Sequence, residues 1–90
     1  MDLEWHSFAM VLSLPHGRET DWESLLKAAS PPTGIQCTRR SATLLLFCVE
    51  AEMEFLAIEK AETWLHSLAA RATPPFPIGL NPQPANEIDV

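Results

Sequence analysis

The stretch that most constrains this chain runs from Ser41 to Ala72. It opens on Ala42-Thr43-Leu44-Leu45-Leu46-Phe47-Cys48-Val49, the longest apolar run in the sequence. Glu50-Ala51-Glu52-Met53-Glu54 then leads into a helical pattern. Ile58, Ala61, Leu65, Leu68 and Ala72 recur at spacings of three and four, which places them on one helical face. The reading is a buried strand that feeds the best helix of the chain, starting between Ala51 and Met53. A single helix over Thr43–Ala72 is the competing reading, because Leu, Ala and Glu all favour helix. An unbroken apolar run without a polar face favours the buried strand.

Upstream, Trp5–Leu14 reads as a first strand. Phe8, Met10, Leu12 and Leu14 share one face, and Ala9, Val11 and Ser13 share the other. Both faces are mostly apolar, as in an interior strand, and Pro15-His16-Gly17 ends it. Thr20-Asp21-Trp22-Glu23 has the form of a capping box, which opens a helix carrying Trp22, Leu25, Leu26 and Ala29 inward. Ser30 ends that helix, since the residue before a proline avoids the helical region. Ile35–Arg40 alternates apolar with polar and finishes in two charges, the signature of an edge strand, and a tight turn near Arg40-Ser41 returns the chain.

After Thr73 the composition changes. Pro74, Pro75, Pro77, Pro82 and Pro84 crowd the last segment. Residues 74–90 therefore read as an extended or disordered tail that the folded domain, residues 1–73, does without. Phe76, Ile78 and Leu80 offer a weak fourth strand, which Pro77 confines to an edge. The order strand, helix, strand, strand, helix, with this doubtful last strand, is that of an α+β domain of the ferredoxin-like α/β plait type. Its central strands are Phe8–Leu14 and Thr43–Val49, and its edge is Ile35–Arg40.

Ninety residues make one domain with a modest core, which association would help to stabilise. A formal charge of −6, with only Arg39 and Arg40 adjacent among six basic residues, speaks against nucleic acid as a partner. No segment is long enough to cross a membrane. The apolar stretch Phe8–Leu14 follows Asp2 and Glu4 rather than Lys or Arg, and lacks a small-residue cleavage site, so the expected location is the cytoplasm. Cys48 reads as a small core residue, and a tight hairpin would pair Cys37 with a position near 44, so no disulfide is expected. Two Cys and three scattered His give no metal-ligand spacing, and no motif calls for a cofactor.

Several groups invite a chemical reading, each beside a plainer one. Glu50, Glu52 and Glu54 would repel one another on a strand and raise a pKa; they also suit a solvated strand end and an acidic first helical turn. Glu62 and His66 are an i, i+4 pair able to orient an imidazole, without a marked nucleophile beside them. His6 and His16 stand at opposite ends of the first strand. Arg39 and Arg40 sit at the hairpin tip, where they could contact an anion or a partner's carboxylate, or simply keep the edge solvated. Trp64 lies beside the helical stripe, as a core-margin residue or an interface anchor.

Two functional classes follow. The first is a small non-catalytic interaction or regulatory protein, such as an inhibitor, adaptor or accessory factor. It would act through an apolar sheet face built on Ala9, Val11, Leu45, Phe47 and Val49, or on their opposite-face counterparts, with Trp64 beside it. A homodimer is the expected assembly, because an uncovered apolar face is uncommon on a monomer. The alternative is a small oligomeric isomerase- or cyclase-type enzyme that uses a His/Glu pair. A histidine within about 3 Å of a carboxylate inside a pocket would favour the second.

Overall fold

The computed structural model describes residues 2–85. It has six elements: β1 (Glu4–Ser13), α1 (Glu19–Ala28), β2 (Ile35–Ser41), β3 (Leu44–Ala51), α2 (Glu54–Ala70) and β4 (Gly79–Pro84). The strands form one antiparallel sheet in the order β2-β3-β1-β4. This is an α+β domain with a four-stranded sheet and two helices. The two most apolar segments, β1 and β3, are its centre, and the polar β2 is an edge. The apolar run 44–51 is strand, and helix begins only at Glu54, so the single long helix is not formed.

Register decides which residues meet. Phe8 lies opposite Phe47 and Met10 opposite Leu45, so these four share a face. Their rings and chains are buried, and Phe8 stacks on Phe47 with centroids 5.5 Å apart. Both helices cover this face. Trp64 from α2 meets Phe47 edge-on at 6.1 Å, and Trp22 from α1 belongs to the same cluster. The buried stripe of α2 is Ala57, Ala61, Trp64, Leu65, Leu68 and Ala69. It is rotated from the stripe read in the sequence, with Ile58 and Ala72 at the margin. The small Ala57 and Ala61 bring the helix close to the sheet, which draws the large Trp64 inward.

Three sequence expectations change. The capping box is not formed: α1 starts at Glu19 behind Arg18, and no side chain caps it. The Arg18 guanidinium instead donates to Asp21 at 2.8 Å, and the Trp22 amide donates to the Arg18 carbonyl. The first turn is thus held by a side-chain pair, and the helix starts two positions earlier than Thr20 would have set it.

The second change concerns the segment after Thr73. Gly79–Pro84 is extended, as its prolines suggest, but it pairs along β1 from Ser13 to Phe8. Pro82 and Pro84 are tolerated because β4 is an edge with only one neighbour. Phe76 and Ile78 are buried on the way to it. Phe76 packs edge-on against Trp22 with centroids 6.3 Å apart, under the Arg18 guanidinium at 4.4 Å. Arg18 also donates to the Pro74 carbonyl at 2.9 Å. The packed chain therefore extends to Pro84, beyond the boundary expected at Thr73. Residues 86–90 of the expected tail lie outside the described residues.

The third change is the hairpin. The turn falls at Ala42-Thr43, between the paired Ser41 and Leu44, rather than near Arg40-Ser41, and with the β-bulge between Arg39 and Ser41 this places Cys37 opposite Phe47 and Cys48 opposite Gln36. Gly34, at φ +89°, makes the turn into β2, and its carbonyl accepts from the Glu50 amide at 2.8 Å, which extends the ladder.

Candidate interaction surfaces

Alternation along each strand assigns the second face of the sheet. Ala9 lies opposite Leu46 and Val11 opposite Leu44. On the flanking strands Thr38 is opposite Leu46, Gln36 opposite Cys48, Asn81 opposite Val11 and Gln83 opposite Ala9. The face is an apolar centre of Ala9, Val11, Leu44, Leu46 and Cys48 between two polar margins. Among the described residues no helix covers it. Ala9 is buried by its neighbours in the sheet, while Val11, Leu44, Leu46 and Cys48 are half-buried.

This divides the residues that the sequence grouped together. Ala9 and Val11 are on the open face. Leu45, Phe47 and Val49 are on the other, packed against the helices and 0–3% exposed. Their opposite-face counterparts Leu44, Leu46 and Cys48 accompany Ala9 and Val11. The reason is the antiparallel register, which pairs odd positions of β1 with even positions of β3. Trp64 is a core residue, 9% exposed, with its ring against Phe47. Arg39 and Arg40 are exposed at the hairpin end of β2, as expected of a solvated edge.

Among the described residues no histidine has a carboxylate partner. His6 Nε2 donates to the Ala51 carbonyl at 3.1 Å, which ties β1 to the end of β3. Among the described residues the one ion pair is Arg18–Asp21, so neither Glu62–His66 nor any other His–carboxylate pair is within 4.0 Å. None of the three histidines lines a described cavity. Among the described residues no group of three His, Cys, Asp or Glu could hold a metal ion. Cys37 and Cys48 are unpaired and point to opposite faces. Burial raises the Cys37 thiol from 9.0 to about 11, which keeps it protonated and unreactive at neutral pH. No helix of the described residues is long and apolar enough to cross a membrane.

Another exposed group was not legible as such in the sequence. The large apolar side chains most open to solvent are Leu3, Trp5, Met53 and Phe55, at 54, 49, 50 and 62% exposure. They come from two segments that the sheet brings together. Glu4 lies opposite Ala51 and Trp5 opposite Glu50, so the start of β1 and the β3–α2 junction share one end of the molecule. A signal for it does exist: Asp2-Leu3-Glu4-Trp5 and Glu50-Ala51-Glu52-Met53-Glu54-Phe55 both alternate acid with apolar residue.

Comparison of the chain with protein-family models, with curated proteins and with solved structures finds no match.

Proposed function

We propose that this is a small non-catalytic interaction protein that works as a homodimer through the open face of its sheet. The observation that carries the reading is the uncovered apolar centre at Ala9, Val11, Leu44, Leu46 and Cys48, bounded by Gln36, Thr38, Asn81 and Gln83. An apolar centre within a polar rim is the anatomy of a protein interface. The face is also free of charge at its centre, so two copies of an acidic chain can meet there without like charges opposed. Strand spacing and rise give roughly 400 Å² of flat face for four strands of about six residues. Two such faces bury on the order of 800–1,000 Å², at the low end for a specific contact. The dimer is accordingly a weak one, populated in the micromolar range.

The strand order, with β1 and β3 central and β2 and β4 outside, supports the ferredoxin-like plait as the architecture. Helices confined to one layer leave the other face to a partner. Acidity supports a protein rather than a nucleic-acid partner.

Light scattering over a concentration series tests the proposal. The expected result is a mass rising from one chain toward two, abolished in Leu46→Lys with the circular dichroism spectrum unchanged. A mass of one chain at high micromolar protein, with no dye bound to exposed apolar surface, would sink it.

A further inference from the structure

Trp64 is almost fully buried, yet it lines two cavities of the helix layer. The larger, of about 510 Å³, lies between α2 and the loop that joins α1 to β2. Pro32, Ile35 and Trp64 give it an apolar floor, and Lys60 on α2 and Arg71 at the end of that helix are its cations. The smaller, of about 170 Å³, has Leu26 and Pro31 among its apolar walls and Lys27 and Arg39 as its charged ones. Four of the six basic residues of the chain therefore surround one indole, against a single acidic side chain, Glu59. A chain of formal charge −6 thus gathers positive charge around Trp64.

The walls of the larger cavity are fixed in place. The Ile35 amide donates to the Pro32 carbonyl at 3.1 Å, and the Gly34 carbonyl accepts from the Glu50 amide at 2.8 Å, so backbone bonds hold the loop. Lys60 Nζ donates to the Glu50 carbonyl at 2.9 Å, which ties α2 to the same junction and leaves two of its three N–H groups for a ligand. Ser67 Oγ donates to the Trp64 carbonyl at 2.6 Å, so its proton is engaged within the helix. Among the described residues Arg71 pairs with no carboxylate. Preformed walls, an apolar floor and a few polar groups at the rim, in a volume of this size, are the anatomy of a small-molecule site.

We propose that this cleft binds a small aromatic carboxylate. The ring packs on Pro32, Ile35 and Trp64, and the carboxylate makes a charge-assisted, two-pronged contact with Arg71. Lys60 adds to the positive field. Glu59 stands about 18 Å along the helix axis from Arg71, beyond a Debye length at physiological salt, so it opposes the carboxylate little. The cleft is in the helix layer, whereas Ala9, Val11, Leu44 and Leu46 lie on the other face of the sheet, so the site is separate from the dimer contact.

The probe is naphthoate, with uncharged naphthalenemethanol and cationic naphthylmethylammonium as controls, followed by heteronuclear NMR. Naphthoate is expected to shift the Trp64 indole N–H and the amides of residues 33–35 and 63–71, with a dissociation constant of about 0.1–1 mM for a ligand of this size. The alcohol should bind at least about fivefold more weakly, and the ammonium more weakly still. That order is the reverse of what the net charge of the chain alone would give. Arg71→Gln should weaken naphthoate about five- to tenfold, and Arg71→Lys by less, since Lys keeps the charge and loses the fork. Thr63 lines the cavity from an exposed helical position, so Thr63→Glu should abolish binding with the circular dichroism spectrum unchanged. Leu46→Lys should leave binding unchanged, which separates the site from the dimer. No saturable shift in millimolar naphthoate, equal binding of the three naphthalenes, an unchanged affinity in Arg71→Gln, or shifts centred on Leu44 and Leu46 would each overturn the proposal.

Discussion

Phe76→Ala tests whether the segment after Thr73 belongs to the fold. The ring is 7% exposed, edge-on to the fully buried Trp22 and capped by Arg18. Truncating a buried Phe to Ala costs about 3–5 kcal/mol through lost transfer energy and the cavity left behind. The aromatic pair accounts for roughly 0.5–1.5 kcal/mol of that. The guanidinium above the ring adds about 0.5–1 kcal/mol at a partly exposed site. A domain of this size is stable by about 5–13 kcal/mol, so the loss is a large fraction of the whole. In a urea melt with a slope of about 1.5 kcal/mol per molar, the midpoint should fall by at least about 2 M. A cycle combining Phe76→Ala with Arg18→Met should show coupling of about 0.5–1 kcal/mol, since Met keeps the stem and removes the charge. A loss below about 1 kcal/mol for Phe76→Ala would refute the reasoning, and the domain would then end near Thr73.

Other outcomes follow from the same contacts. Thr20→Ala should change stability by less than about 0.5 kcal/mol in urea, because no side-chain cap exists there to lose; a loss near 1 kcal/mol, the usual value of an N-cap, would restore the capping box. Truncation after Leu80 removes the β4 residues paired with Phe8–Val11 and should lower the thermal midpoint by more than about 5 °C in calorimetry. Stability should decline as the pH rises from 9 toward 11. The folded Cys37 thiol keeps its proton up to about 11, while the unfolded chain releases it near 9.0, so the unfolded state is favoured across that window; Cys37→Ser should flatten the decline.

The fold was legible where periodicity had one solution. Alternating Ile35–Arg40 reads as a half-buried edge, and the unbroken 42–49 run reads as a buried strand against the alternative of one helix over Thr43–Ala72, which is not formed. What could not be read was register. Leu44 and Leu45 are chemically identical, yet one lies on the open face and the other in the core, and the pairing of β3 with β1 that sets this leaves no composition signal. Capping was misread because Thr20 fits the motif, whereas Arg18 gains more from Asp21, Pro74 and the Phe76 ring together. The last strand reads as weak and confined to an edge by Pro77; it is an edge strand, but over Gly79–Pro84 rather than Phe76–Leu80, since an edge position asks for few amide donors. The acidic-apolar end was overlooked because its halves are 45 residues apart and only β1–β3 pairing joins them.

In the homodimer we propose, charge selects between the two ways of stacking open faces about a two-fold axis. If the axis runs along the strands, each acidic end, with Glu50 and Glu52, meets the same end of its partner and repels it. If the axis runs across the strands, each acidic end lies over the partner's β2–β3 hairpin, where Arg39 and Arg40 are exposed. That axis keeps each β2 over the partner's β2. It therefore sets Arg40 above the junction where the Glu50 amide binds the Gly34 carbonyl. Sheets pack about 10 Å apart, a gap that an Arg side chain spans at the rim. The crosswise arrangement thus gives the exposed arginines a partner and the acidic end a counter-charge. Arg40→Glu should weaken the dimer by about tenfold or more, and Glu50→Arg in the same chain should restore it in part. Sedimentation at low salt reads both. An unchanged dimer in Arg40→Glu would eliminate the crosswise stacking while leaving the open face as the contact.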